Sequence, residues 1–379
     1  MKKILFVTND FGPRAGGIES FIMGLIENLP KNSVIVYTSR QSETSVYDRS
    51  WHEDHGVEVI RDRARVLLPT PRVSRAVQRV ASKTGAEIVC FGAAAPLGLL
   101  AKGLRRMGVK RIVAISHGHE VWWAKVFPFS FAMRQIGASV DVLTYLGEFT
   151  KHEISKALSQ RARSAMVRLA PGIDVEHFSP ERGESPLRAE LNLEGKRVIV
   201  SVGRLVKRKG QDRLIEALPS IREAIPDVHL LFVGQGSYEK YLKKLVRKEG
   251  VAEAVTFVGR VHFADLPKYF GLGDLFAMPS RSRFAGLEVE GLGIVYLEAS
   301  SCGIPVVAGA SGGAPDAVVE GQTGLVVDGN NVEGISQAII SLLSNEELRK
   351  EMGKNGREWV LAQWSWKFWA QRFAEILKL

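Results

Sequence analysis

Residues 290–307 read EGLGIVYLEASSCGIPVV. Glu290 and Glu298 frame its first part, with Gly291 and Gly293 just after the first glutamate and an apolar run through the second. A core segment has little use for two carboxylates, since burying a charge is costly unless it is paired. The glycines let the backbone approach a ligand closely. A helix that starts there aims unpaired N–H groups at whatever lies beside it. Glu290 precedes that helix, and Glu298 comes about two turns later. Carboxylates accept hydrogen bonds from vicinal hydroxyls, as on ribose or hexose. The stretch therefore fits a ligand with a sugar at each end. The plain alternative is a helix cap followed by a surface glutamate.

Upstream, VGRLVKRKGQDRLIEAL sets Arg204, Lys207, Arg208 and Lys209 between a strand and a helix. On an ordinary surface such cations are solvated. At a strand end they neutralise a diphosphate, arginine bidentately and lysine as a point charge. Cations and amides for phosphate, with carboxylates for sugars, match a sugar nucleotide.

The surrounding pattern sets the fold class. KRVIVSVGR, HLLFVGQG, AVTFVGR, DLFAMPS, IPVVAG and GLVVD read as strands separated by helices. The first half repeats the alternation with KILFVTN, SVIVYTS, AEIVCFG, RIVAISH and VDVLTYL. Near-continuous β-branched runs between helices predict parallel sheets covered on both faces. Around MVRLAPGIDVEHFSP the pattern breaks, which marks a linker. The expected architecture is α/β, two Rossmann-like doubly wound domains facing a cleft. The final WSWKFWAQRFAEILKL reads as a helix whose aromatics pack.

The chain has 379 residues and a net charge of +10. Residues 1–170 hold 25 Lys and Arg against 14 Asp and Glu, a net +11; the remainder, with 26 against 27, is −1. The excess is densest from Arg61 to Arg111 and favours an anionic partner. The N-terminal MKKILFVTND reads as a buried strand, since its apolar run is short for a secretory signal. Cys90 and Cys302 read as buried thiols of a reducing compartment.

Two further motifs sit at strand ends. In FGPRAGGIES, Gly16 and Gly17 stand where a helix begins, as a phosphate- or hydroxyl-binding start or as a plain turn. In ISHGHEVWW, His117 and His119 read as substrate contacts in preference to a metal pair, because no third ligand is evident. Hydrogen-bonded loop histidines are the plain alternative.

In order, GRLVKRKG, FVGQG, MPSR, EGLGIVYLE, CGIPVVAG and SGGAPDAVVEGQTGLVV resemble the family-four retaining glycosyltransferases of GT-B fold. The resemblance covers nearly the whole chain and is strongest from Arg204 to Val327. SRFAGLEVEGLGIVYLEASSCGIPVVAGASGGAPDAV is similar to the actinobacterial branch that moves mannose from GDP-mannose to phosphatidylinositol mannosides. A related branch mannosylates a glucuronosyl diacylglycerol.

The resemblance implies that Arg204 and Lys209 bind the diphosphate and that Glu298 holds the ribose. Glu290, with the amides of Gly291, Leu292, Gly293 and Ile294, holds the mannose. His117 contacts the sugar near O6, Gly16 and Gly17 shape the junction of acceptor and donor phosphate, and the base lies near Arg260 and Val261. It also implies that the C-terminal helix crosses back to the first domain. That gives residues 1–169 plus 366–379 for an acceptor- and membrane-facing domain, and 170–365 for nucleotide-sugar binding.

No Asp-x-Asp motif is present, so no divalent metal or other cofactor is expected to be essential. No carboxylate stands out as a nucleophile, and same-face attack is the expected route to retention. The basic helix PTPRVSRAVQRVASK presents Arg72, Arg75 and Arg79 to an anionic leaflet or to solvent. The expected partners are GDP-mannose, an anionic glycolipid acceptor and the inner face of the cell membrane, with no nucleic acid. A nucleic-acid binder lacks a reader module here, a Rossmann oxidoreductase lacks its glycine fingerprint, and a sugar-nucleotide epimerase of the same fold is the nearest enzymatic rival.

Overall fold

The computed structural model describes residues 2–14, 16–180 and 186–379. The apolar runs form parallel strands, many buried along their whole length. The first set is β1 (Ile4–Thr8), β2 (Val34–Thr38), β3 (Glu58–Arg61), β4 (Ile88–Phe91), β5 (Arg111–Ala114), β6 (Val142–Tyr145) and β7 (Met166–Arg168). Their order in the sheet is β3-β2-β1-β4-β5-β6-β7, and every pairing is parallel.

The second set is β8 (Arg197–Val202), β9 (Val228–Val233), β10 (Val255–Gly259), β11 (Leu275–Met278), β12 (Val306–Gly309) and β13 (Gly324–Val327). Its order is β10-β9-β8-β11-β12-β13, again parallel. In each sheet the order reverses beside the first strand, between β1 and β4 and between β8 and β11. Loops leaving the carboxyl ends at such a point are where open α/β sheets bind ligands.

Met166–Arg168, which its sequence places in a linker, is instead the edge strand β7, paired with β6. Both β3 and β7 are short sheet edges and only partly buried, so neither needs the continuous apolar run that marks the inner strands.

The chain divides into two units, Met1–Gly172 with Trp366–Leu379, and Ile173–Ser365. Within the second unit its two ends meet: Ile173 bridges Ser365, and the Ile173 N–H donates to the Trp364 carbonyl at 2.7 Å. The division accordingly falls after Gly172, where the sequence pattern suggested Leu169. The last helix, Trp366–Leu377, belongs to the first unit and buries Trp369, Phe373, Ile376 and Leu377. The Phe373 ring packs tilted against Phe6 of β1 with centroids 6.1 Å apart, and Arg111 of β5 donates to the Ile376 carbonyl at 2.7 and 3.0 Å. Each large apolar side chain so buried contributes about 1.5–3 kcal/mol.

The helix Pro71–Thr84 shows how local sequence sets an element. Thr70 caps it by accepting the Val73 N–H at 3.3 Å, proline fills the first helical position, and Gly85 ends it in the left-handed region. Val73, Val77 and Ala81 recur at helical spacing and are its buried stripe.

Candidate active site

The second unit gathers most of the expected donor-binding residues. After β8 the chain passes Gly203 and Arg204 and makes a tight turn over Lys207–Lys209. Gly210 follows at φ +79°, and a Cβ there would run into the Pro279 carbonyl, so the turn requires glycine. The turn sends Arg204 and Lys207 to solvent and buries Lys209.

Lys209 Nζ lies 2.7 Å from Glu290 Oε2, and the Arg208 guanidinium donates to the same oxygen at 2.5 Å. Burial by itself pushes the Glu290 carboxyl up. Lys209 and Arg208 outweigh that and hold it below its ordinary value, so it is ionised. Burial pulls the Lys209 ammonium below its ordinary value, more strongly than Glu290 raises it, and Arg208 adds to the lowering. The Glu290 backbone is fixed as well: its carbonyl accepts the Gly313 N–H at 2.8 Å, and its N–H donates to Ser311 Oγ at 3.3 Å.

Gly293 takes φ +79° at the start of the helix Ile294–Ser301, which exposes the first-turn amides beside Glu290. Glu298 is buried on that helix. Burial pushes its carboxyl up to about 7, with Lys209 the opposing cation. Among the described residues no hydrogen bond to the Glu298 carboxylate is formed. Both glutamates of the opening stretch thus act on one lysine, an arrangement their sequence spacing did not show.

A cleft of about 430 Å³ opens at the carboxyl ends of this sheet. Val202, Gly203 and Arg204 of the β8 exit line it, with Val233, Gly234 and Gln235 after β9 and Arg260 and Val261 after β10. The expected base-binding pair and Arg204 therefore share one cavity.

Several supporting residues were not singled out by sequence. Arg281 and Asp212 form a bidentate pair at 2.6 and 2.9 Å, each side chain only 5% exposed, and Tyr238 donates to Asp212 at 3.2 Å. The Arg281 N–H donates to the Arg208 carbonyl at 2.8 Å, so this pair braces the cationic turn. The MPSR motif contains Arg281, but nothing in it reveals a partner 69 residues away.

The first unit holds the remaining candidates. His117 follows β5. Its Nε2–H donates to the Gly92 carbonyl at 2.5 Å, and its backbone N–H donates to Glu120 at 2.9 Å. Burial lowers its pKa, so the imidazole is neutral at pH 7 and Nδ1 is left as an acceptor. His119 Nε2 faces the Ala95 carbonyl at 3.3 Å. Both rings thus direct Nε2 at backbone carbonyls, and no group of three His, Cys, Asp or Glu that would hold a metal occurs among the described residues.

Asp10, which no sequence motif marks, lies 3.6 Å from Arg14 on the same sheet edge, and burial raises its carboxyl. Gly16 caps the helix Gly17–Glu27 in extended backbone, and a Cβ there would strike the Glu19 carboxylate. A Cβ at Gly17 would meet open space.

Of the three arginines assigned to a membrane face, Arg72 is committed elsewhere. It makes a bidentate pair with Asp62 at 2.8 and 2.9 Å, and that pairing lowers the Asp62 carboxyl to about 2. Arg75 and Arg79 are exposed. No helix among the described residues is long and apolar enough to cross a membrane.

Comparison with known proteins decides the family. Residues 184–359 match the description "Glycosyl transferases group 1" and residues 15–177 "Glycosyltransferase Family 4". The chain is 42% identical, over 99% of its length and 98% of the relative's, to the GDP-mannose-dependent alpha-(1-6)-phosphatidylinositol monomannoside mannosyltransferase of Mycolicibacterium smegmatis. This chain belongs to the family-four glycosyltransferases.

A second relative of this glycosyltransferase is the GDP-mannose-dependent monoacylated alpha-(1-6)-phosphatidylinositol monomannoside mannosyltransferase of Corynebacterium glutamicum, 41% identical over all of this chain and 98% of that one. Among solved structures, Anabaena HepE in complex with UDP superimposes with a TM-score of 0.81 at 20% identity, covering 99% of both chains. Sucrose-phosphate synthase from Thermosynechococcus elongatus gives 0.78 at 22%, covering 100% of this chain and 98% of that one. At that identity the likeness shows the fold alone, GT-B. The full-length relatives at 41–42% identity make the enzyme a hexosyltransferase.

Proposed function

We propose that this enzyme moves mannose from GDP-mannose to a phosphatidylinositol mannoside lipid, with retention at the anomeric carbon. The full-length identity to enzymes of that name supports the substrates. The observation that carries the site reading is the buried cluster of Arg208, Lys209 and Glu290, with Glu298 beside it at the carboxyl edge of the second sheet.

Donor binding exchanges partners within that cluster. An incoming diphosphate competes with Glu290 for Lys209, assisted by exposed Arg204, and frees the Glu290 carboxylate for mannose hydroxyls. The amides at Gly291–Ile294 face the same region and complete the sugar contact. Glu298 accepts the ribose hydroxyls, and the base occupies the cleft at Arg260 and Val261. His117 accepts a hydroxyl hydrogen bond from the transferred sugar through Nδ1. Gly16 and Gly17 give the acceptor close access to backbone.

As the glycosyl–phosphate bond lengthens, charge gathers on the leaving diphosphate. Lys209, Arg204 and the helix amides stabilise that charge in place, and removing one such donor typically costs about a hundredfold in rate. The acceptor hydroxyl attacks from the face the phosphate leaves, and the leaving oxygen takes its proton. No metal is required in this reading. Arg75 and Arg79 hold the first unit on an anionic leaflet at the cytoplasmic face of the membrane.

Calorimetry with GDP-mannose and UDP-glucose, on wild type and Glu298→Ala, tests the donor. Selective GDP-mannose binding that the substitution abolishes is expected, followed by a mannosylated lipid in the product mixture. Binding of the UDP-sugar instead would remove the mannosyl assignment.

A further inference from the structure

We infer that Arg14, Arg40 and Arg65 build a phosphodiester site on the first sheet, which takes the phosphate of an inositol-lipid headgroup. The inference rests on the acceptor class proposed above. Strands β3, β2 and β1 are neighbours, and the loop leaving the carboxyl end of each supplies one arginine. These three side chains, with Gln41 and Ser42, line a cavity of about 600 Å³. That volume lies within the range of small-ligand sites and holds a phosphodiester with an attached polyol.

The walls are braced together. The Arg40 N–H donates to the Ala64 carbonyl at 2.8 Å, tying the β2 exit to the β3 exit. Gln41 donates to the Phe11 carbonyl at 2.7 Å and accepts the Arg14 N–H at 3.3 Å, tying β2 to β1. A pocket cross-linked in this way is preorganised, which lowers the cost of binding.

Two of its three charges are uncompensated. Two nearby acids are taken by arginines outside the pocket: Asp48 pairs with Arg61 at 2.6 Å and Asp62 with Arg72 at 2.8 Å, while Glu43, next to Ser42, is exposed. Arg14 shares its guanidinium with Glu19 at 2.6 Å and with Asp10 at 3.6 Å. Among the described residues Arg40 and Arg65 have no acidic partner. Converging guanidiniums repel one another, and a phosphate with several acceptor oxygens offsets that repulsion bidentately. Asp10 neighbours both Arg14 and His117, so the pocket shares a sheet edge with the proposed sugar contact.

The test compares wild type with Arg40→Ala/Arg65→Ala. Three acceptors are used: the intact phosphatidylinositol mannoside in vesicles, its soluble deacylated phosphodiester headgroup, and the same inositol mannoside without phosphate. The expected result is a rise in KM of about tenfold or more per arginine for both phosphorylated acceptors, from the loss of charged hydrogen bonds. GDP-mannose affinity and Tm should stay unchanged, and the phosphate-free acceptor should not tell the two proteins apart. Equal KM for the soluble headgroup in both proteins overturns the inference. So does an effect confined to vesicles, since the arginines would then touch bilayer phosphates and not the acceptor's own. If wild type transfers to neither phosphorylated acceptor, the proposed function fails by itself. Direct calorimetry of the soluble headgroup and of inorganic phosphate then decides the site: headgroup binding lost in the variant supports it, and equal or absent binding overturns it.

Discussion

Lys209 Nζ stands 2.7 Å from Glu290 Oε2, in a buried contact that Arg208 shares. A cation expected to bind phosphate and an anion expected to bind sugar hydroxyls hold each other in place. Their separation in the sequence hides this, and it turns donor binding into an exchange of partners.

Glu290→Gln keeps the side-chain shape and removes the charge. Transfer should fall by about a hundredfold. Affinity for GDP without a sugar should hold or tighten, because Lys209 and Arg208 lose a competitor. Calorimetry with GDP beside a transfer assay measures both. Loss of GDP affinity together with turnover would assign Glu290 a purely structural role.

The Glu298 carboxyl, raised from 4.5 to about 7 by burial, predicts a slope of stability with pH. An acid with a raised folded pKa binds its proton more tightly when folded. Its destabilising effect is therefore absent below about 4.5 and fully present above about 7, growing by up to about 1.36 kcal/mol for each pH unit between those values. Thermal unfolding of Glu298→Gln should lose that part of the slope and exceed wild type at pH 8. Donor binding near pH 6.5 should release a proton in wild type only, visible as a buffer-dependent enthalpy.

Asp212 and Arg281 form a bidentate pair, each side chain 5% exposed. Asp212→Ala leaves a buried guanidinium unpaired and should cost about 3–5 kcal/mol. Replacing both residues with apolar side chains of similar volume should restore most of that loss. Urea unfolding of single and double variants measures the coupling. A single variant as stable as wild type would contradict the brace.

Gly16 and Gly17 should separate. A Cβ at Gly16 meets the Glu19 carboxylate, whereas at Gly17, the first helical residue, it meets open space. Gly17→Ala, at the first helical position, should leave stability unchanged or slightly raised while slowing transfer. Gly16→Ala should push the Glu19 carboxylate off Arg14, at a small cost in stability, and slow transfer. Paired Tm and activity measurements report on each, and unchanged transfer in Gly17→Ala would remove it from the acceptor junction.

Arg75→Gln/Arg79→Gln should weaken cosedimentation with anionic vesicles by about 1 kcal/mol per cation and leave Tm unchanged. Arg72→Gln should lower Tm, because it breaks the Asp62 pair. Vesicle binding insensitive to Arg75 and Arg79 would place the membrane face elsewhere.

The sequence by itself determined what depends on short-range pattern. Apolar β-branched runs specify the inner parallel strands, Thr70 and Gly85 bound a helix, and glycines mark the turns where Gly210 and Gly293 take positive φ. The ordered motifs also identified the family, because each places a charge or a glycine at a strand end. Tertiary structure alone decided which charges face which. Arg72 turned to Asp62, Arg208 to Glu290 and Arg281 to Asp212. The edge strands β3 and β7 likewise appear only once their neighbours pair with them. Pairing energies depend on distance and burial after the chain has closed on itself, and residues far apart in sequence acquire neither until then.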